Sequence, residues 1–321
     1  MPIAAATGTQ YTLIRETPQG PATATITEVA AGIREYALNG IDLVEGFAAD
    51  VVPPLGAGTV LVPWPNRIRD AIWTQGGVRH LLAITEPGQM NAIHGLLAVT
   101  AYRLVEQSAD TVTLAATVYP QAGYPYQLDT TVTYALTAEG LAVTHTLRNV
   151  GTADAPVALG THPYLKIGDV PTGDLVLRLN ATSHIDVDHR LNPVGETPVD
   201  GTRFDLRAGA RVDDLDLDDG FGGVVPQDGR GEHSLTAPDG RRVTLWGDTN
   251  MAYVQAFTPR IFPVRTHGTD GTTTVQLGQA VAIEPMTAPA DAFNSGKGLR
   301  WLAPGEEWVV RWGIAPTGFV A

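Results

Sequence analysis

Cysteine is absent from this chain, which removes disulfides, thiolate nucleophiles and cysteine-ligated zinc or iron–sulfur centres. Basic charge is scarce: 21 Lys and Arg stand against 34 Asp and Glu, a formal net charge of −13. Nucleic acid and anionic membranes need a basic footprint, so neither is expected as a partner. Serine is rare: Ser108, Ser183, Ser234 and Ser295 are the only ones, and none lies in a Gly-x-Ser-x-Gly elbow of a hydrolase. No run of about 18 apolar residues occurs, so no bilayer-spanning helix is expected. The first ten residues, MPIAAATGTQ, lack a basic segment followed by an apolar one. No secretory signal is therefore expected, and a cytoplasmic location is.

Cofactor motifs are missing as well. Gly56 and Gly58 open like a dinucleotide fingerprint, but the third glycine is absent and no βαβ pattern surrounds them. Asp214, Asp216 and Asp218 have the opening spacing of an EF-hand. The glycine position is Asp219 and the twelfth is Val225, so the calcium loop fails. His184 and His189 flank Asp186 and Asp188 without the ligand spacing of known metal sites, and read as a polar loop after a strand. Neither a metal nor a cofactor is expected.

What is present has a period of two. Thr23 to Val29, Thr111 to Val118, Leu128 to Leu136 and Leu141 to Leu147 alternate with frequent Thr and Val, as strands on a half-buried sheet do. Tyr253 to Phe257, Val281 to Ile283 and Trp308 to Ile314 continue the pattern. Asn39-Gly40, between Ile33–Leu38 and Ile41–Val44, is a hairpin signal. No twelve-residue window shows a convincing period of 3.6. With 35 glycines, 23 prolines and 44% hydrophobic residues, the chain reads as an all-β antiparallel sandwich or barrel, one domain over 1–321. The Asp- and Gly-rich stretch Val194 to Gly231 reads as long loops.

Four places could carry chemistry. Pro63-Trp64-Pro65-Asn66-Arg67-Ile68 sets an amide and a guanidinium in a stiff turn, and Arg offers a rigid fork of donors for hydroxyls or carboxylates. Ile93-His94-Gly95 puts a histidine beside a flexible glycine. His162 follows the apolar run Val157 to Gly160, just past a strand end. Glu284 ends the apolar run Ala280 to Ile283, where a carboxylate is costly unless paired or used.

Taken in order, Asn66-Arg67-Ile68, Ile93-His94-Gly95, His162-Pro163-Tyr164, Leu217-Asp218-Asp219-Gly220-Phe221 and AIEPMTAPADAFNSG (282–296) resemble the aldose 1-epimerase (mutarotase) family. LNPVGETPVDGTRFDLR (191–207) is similar to the loop that precedes that family's substrate-contacting aspartate. The resemblance implies a large twisted β-sandwich of the galactose mutarotase type, in agreement with the strand pattern. It implies that His162 is the general acid and Glu284 the general base. It also implies that Arg67, His94 and Asp218, with Asn66 and Tyr164, bind sugar. The activity implied is interconversion of the α and β anomers of a hexose through ring opening and closure. One acid and one base suffice for this, with no metal or nucleotide.

Asp218 is expected in the cleft, favouring a protonated His162, while Asp213, Asp214 and Asp216 face solvent. Trp64, Trp73 and Trp246 could stack on a sugar, although core packing is the commoner use of tryptophan. Three other readings stand beside the epimerase: a glycoside hydrolase using Glu284 with Asp218, a non-catalytic sugar-binding protein, and an epimerase of a phosphorylated or sulfonated sugar. The last would need cations such as Arg69, Arg260 or Arg265 at the pocket rim.

Overall fold

The structure is a computed structural model that describes residues 5–268, 270 and 272–319. Among these residues the architecture is β throughout, with one four-residue α-helix, Ala292–Ser295, and short 3-10 turns. Among the described residues no helix is long and apolar enough to cross a membrane.

Two large antiparallel sheets dominate. One has nine strands, with Leu128–Leu136, Leu141–Asn149, Glu307–Thr317 and Arg242–Asp248 adjacent at its centre. Its central strands alternate: in Leu128–Leu136 the even-numbered residues are buried and the odd-numbered ones half-buried or exposed, and Leu141–Asn149 alternates likewise, with its odd-numbered residues buried. That is the pleat of a sheet with one covered face. The second sheet has eight strands and runs Pro193–Pro198, Ser183–Val187, Asp218–Gly222, Tyr253–Phe257, Val281–Met286, Gly160–Thr161 and Val60–Leu61, with Tyr164–Leu165 also pairing to Val281–Met286. A continuous apolar core joins the two sheets, with Val132, Val143, Leu245 and Trp312 from the first meeting Phe221, Val254 and Ile283 from the second. A four-stranded sheet from Gln10 to Asp42 adds Leu13, Ile26 and Tyr36, and its Asn39-Gly40 turn joins Ile33–Leu38 to Ile41–Asp42.

The stretch from Val194 to Gly231 departs from the loop reading. It contains the strand Asp218–Gly222, seated between Ser183–Val187 and Tyr253–Phe257. Aspartate and glycine are poor strand formers, but Leu217 and Phe221 reach the core and hold the segment in register. Trp64 and Trp73 are core residues, packed edge-on against Phe293 at 5.4 and 5.1 Å. Trp246 lies under the Arg230 guanidinium, 4.1 Å from its ring centre.

Candidate active site

The strand Val281–Met286 is buried along its whole length on both faces. Val281 and Ile283 face the core between the sheets, so Ala282, Glu284 and Met286 share the opposite face. Neighbouring strands follow suit. Ile185, Gly220, Gln255 and Glu284 are successive cross-strand partners. A cavity opens over Ile185, Gly220 and Gln255 of this row, bordered also by Asn66, Arg67, Asp218 and Met286, with Glu284 buried next to it.

His162 reaches Glu284 for a topological reason. Gly160–Thr161 and Tyr164–Leu165 both pair with the same strand, Val281–Met286. The two residues between them bulge beside Ile283 and Glu284. The His162 N–H donates to the Thr59 carbonyl, and its own carbonyl accepts from the Gly58 N–H at 2.8 Å. The ring lies between Tyr164, stacked at 5.1 Å, and Gly56, where an added Cβ would stand 3.3 Å from it. Nε2 of His162 is then 3.3 Å from Oε1 of Glu284. Both residues are almost sealed, at 4% and 2% exposure.

His94 comes from a different construction. Arg67–Ile68 pairs with Ala92–Ile93, and both chains then turn through left-handed residues, Asn66 at φ 53° and His94 at φ 63°. Asparagine and histidine tolerate this region better than most. Gly95 follows at φ 75°, where a Cβ would stand 2.1 Å from the Val62 carbonyl oxygen, so only glycine fits. The His94 N–H donates to the Asn66 carbonyl, and the Asn66 N–H donates to Nδ1 of His94 at 3.3 Å. Nδ1 is therefore the acceptor, and the ring proton sits on Nε2. The two histidine rings are 5.4 Å apart, edge to face.

Arg67 is 8% exposed and heavily engaged. Its Nε donates to both oxygens of Glu86 at 3.1 and 3.0 Å, and one NH2 group donates to Glu86 at 2.9 Å and to Asp218 at 3.4 Å. Gln255 donates to the other Asp218 oxygen at 2.7 Å. Asp218 is thus fixed from two sides. Asp213, Asp214 and Asp216 are exposed, as the sequence suggested.

All seven residues singled out in the sequence gather here, but with two revisions. Tyr164 is 1% exposed and its hydroxyl donates to the Leu55 carbonyl at 3.3 Å. It supports the His162 ring rather than facing the cavity. The second revision concerns charge. Burial pushes His162 down to about 4, so the imidazole is neutral at rest instead of protonated. Burial pushes Glu284 well above the ordinary carboxyl range, with the Asp218 charge adding to the shift and Arg67 opposing it. Burial also lowers His94, helped by His162 and Arg67. The expected pull of Asp218 on His162 is too weak to offset the loss of water.

Two residues of the site were not anticipated, Gln255 and Glu86. Gln255 carries a signal: a polar side chain within the apolar strand Tyr253–Phe257, like Glu284 in its own strand. Glu86 lies in a Thr-Glu-Pro-Gly turn that reads as solvent-facing.

The family model for aldose 1-epimerase matches residues 16–314. The chain is 32% identical over 285 residues to the uncharacterized protein YihR of Escherichia coli, covering 88% of this chain and 86% of that one. Among solved structures, a GalM/aldose epimerase homologue from C. elegans superposes with a TM-score of 0.80 at 19% identity, over 96% of this chain and 99% of the other. The galactose 1-epimerase of Lactobacillus acidophilus gives 0.72 at 20% identity, over 94% and 93%. The solved structures share the sandwich, and the family match runs through every element that brings a residue to this cavity. The chain belongs to the aldose 1-epimerase family.

Proposed function

We propose that this protein interconverts the anomers of a neutral aldose, with His162 and Glu284 as the proton-transferring pair. The observation that carries the reading is the 3.3 Å approach of His162 Nε2 to Glu284 Oε1 in a nearly sealed position beside Arg67, His94, Asp218 and Gln255. Ring opening removes the proton from the C1 hydroxyl and delivers one to the ring oxygen. Rotation about C1–C2 and closure on the other carbonyl face reverse both transfers. A base and an acid that share one proton fit this cycle.

At rest the shared proton sits on Glu284 and His162 is neutral. Catalysis in the assigned direction needs a carboxylate at O1 and an imidazolium at the ring oxygen. The proton therefore passes from Glu284 to His162 as sugar hydroxyls enter and solvate the two charges. The proton count of the site does not change in this step, and the pair titrates as a unit. His94 Nε2–H, the free edge of Arg67 and the Asp218–Gln255 pair supply hydroxyl contacts that fix the ring.

Neutral sugars are favoured by the surrounding charges. Arg67 stands between two carboxylates. The other arginines considered for an anionic group do not line the cavity and are paired elsewhere: Arg69 with Asp188 at 3.1 Å, Arg260 with Asp213 at 3.3 Å and Arg265 with Glu35 at 3.0 Å.

The test is anomer exchange measured by saturation-transfer NMR across a panel of aldoses, with the spontaneous rate subtracted. Catalysed exchange is expected, with activity lost below about pH 4 as His162 takes a second proton into the pair. Sugar binding without exchange would reduce the protein to a binder. Release of a free sugar from a glycoside would make it a hydrolase.

A further inference from the structure

Arginine is the side chain best suited to seize a carboxylate, phosphate or sulfonate, because its planar fork presents parallel donors. Arg67 borders the cavity, yet its fork is already filled. Glu86 approaches edge-on and engages Nε and one NH2 group with both oxygens. Asp218 accepts from that same NH2 group, and the remaining one, NH1, has no partner among the described residues. Glu86 is itself held in place. Asn91, fully buried, donates from its amide to Glu86 Oε2 at 3.2 Å, and the backbones of the two residues bridge across the turn. At the cavity border Arg67 therefore stands between two carboxylates, Asp218 lining the cavity and Glu86 behind the guanidinium.

We infer that Glu86 sets the substrate class, by occupying the fork of Arg67 so that the site takes uncharged sugars and turns away anionic ones. This rests on the anomerase reading for its substrate, but it is a separate statement about charge. Glu86 is a specificity residue that acts through Arg67. Removing its charge while keeping its shape leaves a partly freed guanidinium at the cavity edge. Shortening it while keeping the charge leaves the cancellation in place.

The experiment compares wild type, Glu86→Gln and Glu86→Asp with glucose and galactose against glucuronate and glucose 6-phosphate. Exchange is followed by NMR and binding by calorimetry, on protein whose melting matches wild type. Glu86→Gln is expected to raise the anionic-to-neutral ratio of kcat/KM by about tenfold or more, since a like charge facing a ligand costs at least that factor. The gain should shrink at high salt. Glu86→Asp should stay within about threefold of the wild-type ratio, because one carboxylate is kept. A ratio in Glu86→Gln that equals wild type would overturn the inference.

Wild type alone gives a second reading that does not depend on either variant folding. Raising salt from about 10 mM to about 0.5 M should improve binding of glucuronate relative to glucose, because screening weakens the repulsion. Tighter binding of glucuronate at low salt would overturn the inference. Failure of the broader reading looks different: wild type would not exchange the anomers of any sugar, while the binding ratios would still report on Glu86.

Discussion

The two large sheets each bury a histidine, and they do so to opposite ends. In the nine-stranded sheet His145 sits between Val132 and Val310, fully enclosed, and its Nε2 accepts a hydrogen bond from the Trp312 indole at 3.0 Å. In the eight-stranded sheet His162 is almost as deeply enclosed, but its Nε2 faces a carboxyl group. Burial pushes both down, His145 to about 3 and His162 to about 4. Desolvation alone makes a histidine into packing material. Desolvation beside Glu284 makes a pair that can hold and pass a proton. The strands that carry or flank the two histidines differ in the same sense: Leu128–Leu136 and Leu141–Asn149 alternate, whereas Val281–Met286 is buried on both faces and still carries an ionisable side chain. A buried acid at that position is tolerated at a cost in stability, which function offsets.

The sharpest way to break this contrast is to remove the acid from one sheet and the histidine from the other. Glu284→Gln should slow anomer exchange by at least about 10²-fold, the usual consequence of losing a positioned acid or base. Sugar affinity should fall far less, because the hydroxyl contacts remain. His145→Gln should leave the exchange rate per folded molecule close to wild type. Equal losses in the two variants, measured by the same NMR assay, would erase the distinction.

Next in size is Gly95→Ala. With φ at 75° and its new Cβ 2.1 Å from a carbonyl oxygen, the turn that presents His94 must shift. Urea denaturation should show a loss of about 2 kcal/mol or more. An unchanged midpoint would mean that the turn is softer than its geometry implies.

A smaller effect isolates the inert histidine. His145 has its folded value lowered from 6.5 to about 3, so between these limits the unfolded chain binds the extra proton. Its contribution to stability is complete above pH 6.5 and is lost as pH falls. Wild type should therefore lose about 1.4 kcal/mol per pH unit relative to His145→Gln over that window. Comparing the two proteins cancels the buried acids, which titrate with the opposite sign. A constant difference between pH 6.5 and 5 would show that His145 is already protonated or already wet. Asp216→Asn is expected at the bottom of the scale, within about 0.5 kcal/mol and with no change in rate, since its side chain is exposed.

How much of this was legible in the sequence depended on whether a residue broke a pattern. Glu284 interrupts an apolar strand and His162 follows one, so both were visible before any coordinates. The alternation in Leu128–Leu136 and the Asn39-Gly40 turn were equally plain, because a half-buried sheet repeats its logic locally. Asp218 was found through the family resemblance but was expected on a loop. Its strand is stabilised by partners more than 30 residues away in sequence, which local composition does not reveal. Gln255 broke its strand's pattern as Glu284 did, but an uncharged amide is a weaker alarm. Glu86 broke no pattern at all, because a glutamate before Pro-Gly looks like an ordinary exposed turn. The protonation of His162 depends on how much water the assembled sheets exclude, a property of the assembly rather than of any motif.

The site is also assembled from remote parts of the chain. The contact between Arg67 and Asp218 joins positions 151 residues apart, and His162 meets a glutamate supplied by a strand near the C-terminal end. No short segment contains both members of the proton-transfer pair. Closing such long loops is entropically slow and brings reward only when the strands meet, so folding cannot build a working fragment early. Anomer exchange in a refolding sample is then a clock for the last event, the docking of Val281–Met286 between Tyr253–Phe257 and Gly160–Thr161, and should rise no sooner than the slowest structural probe. Activity in a chain cut before Val281 would stop that clock.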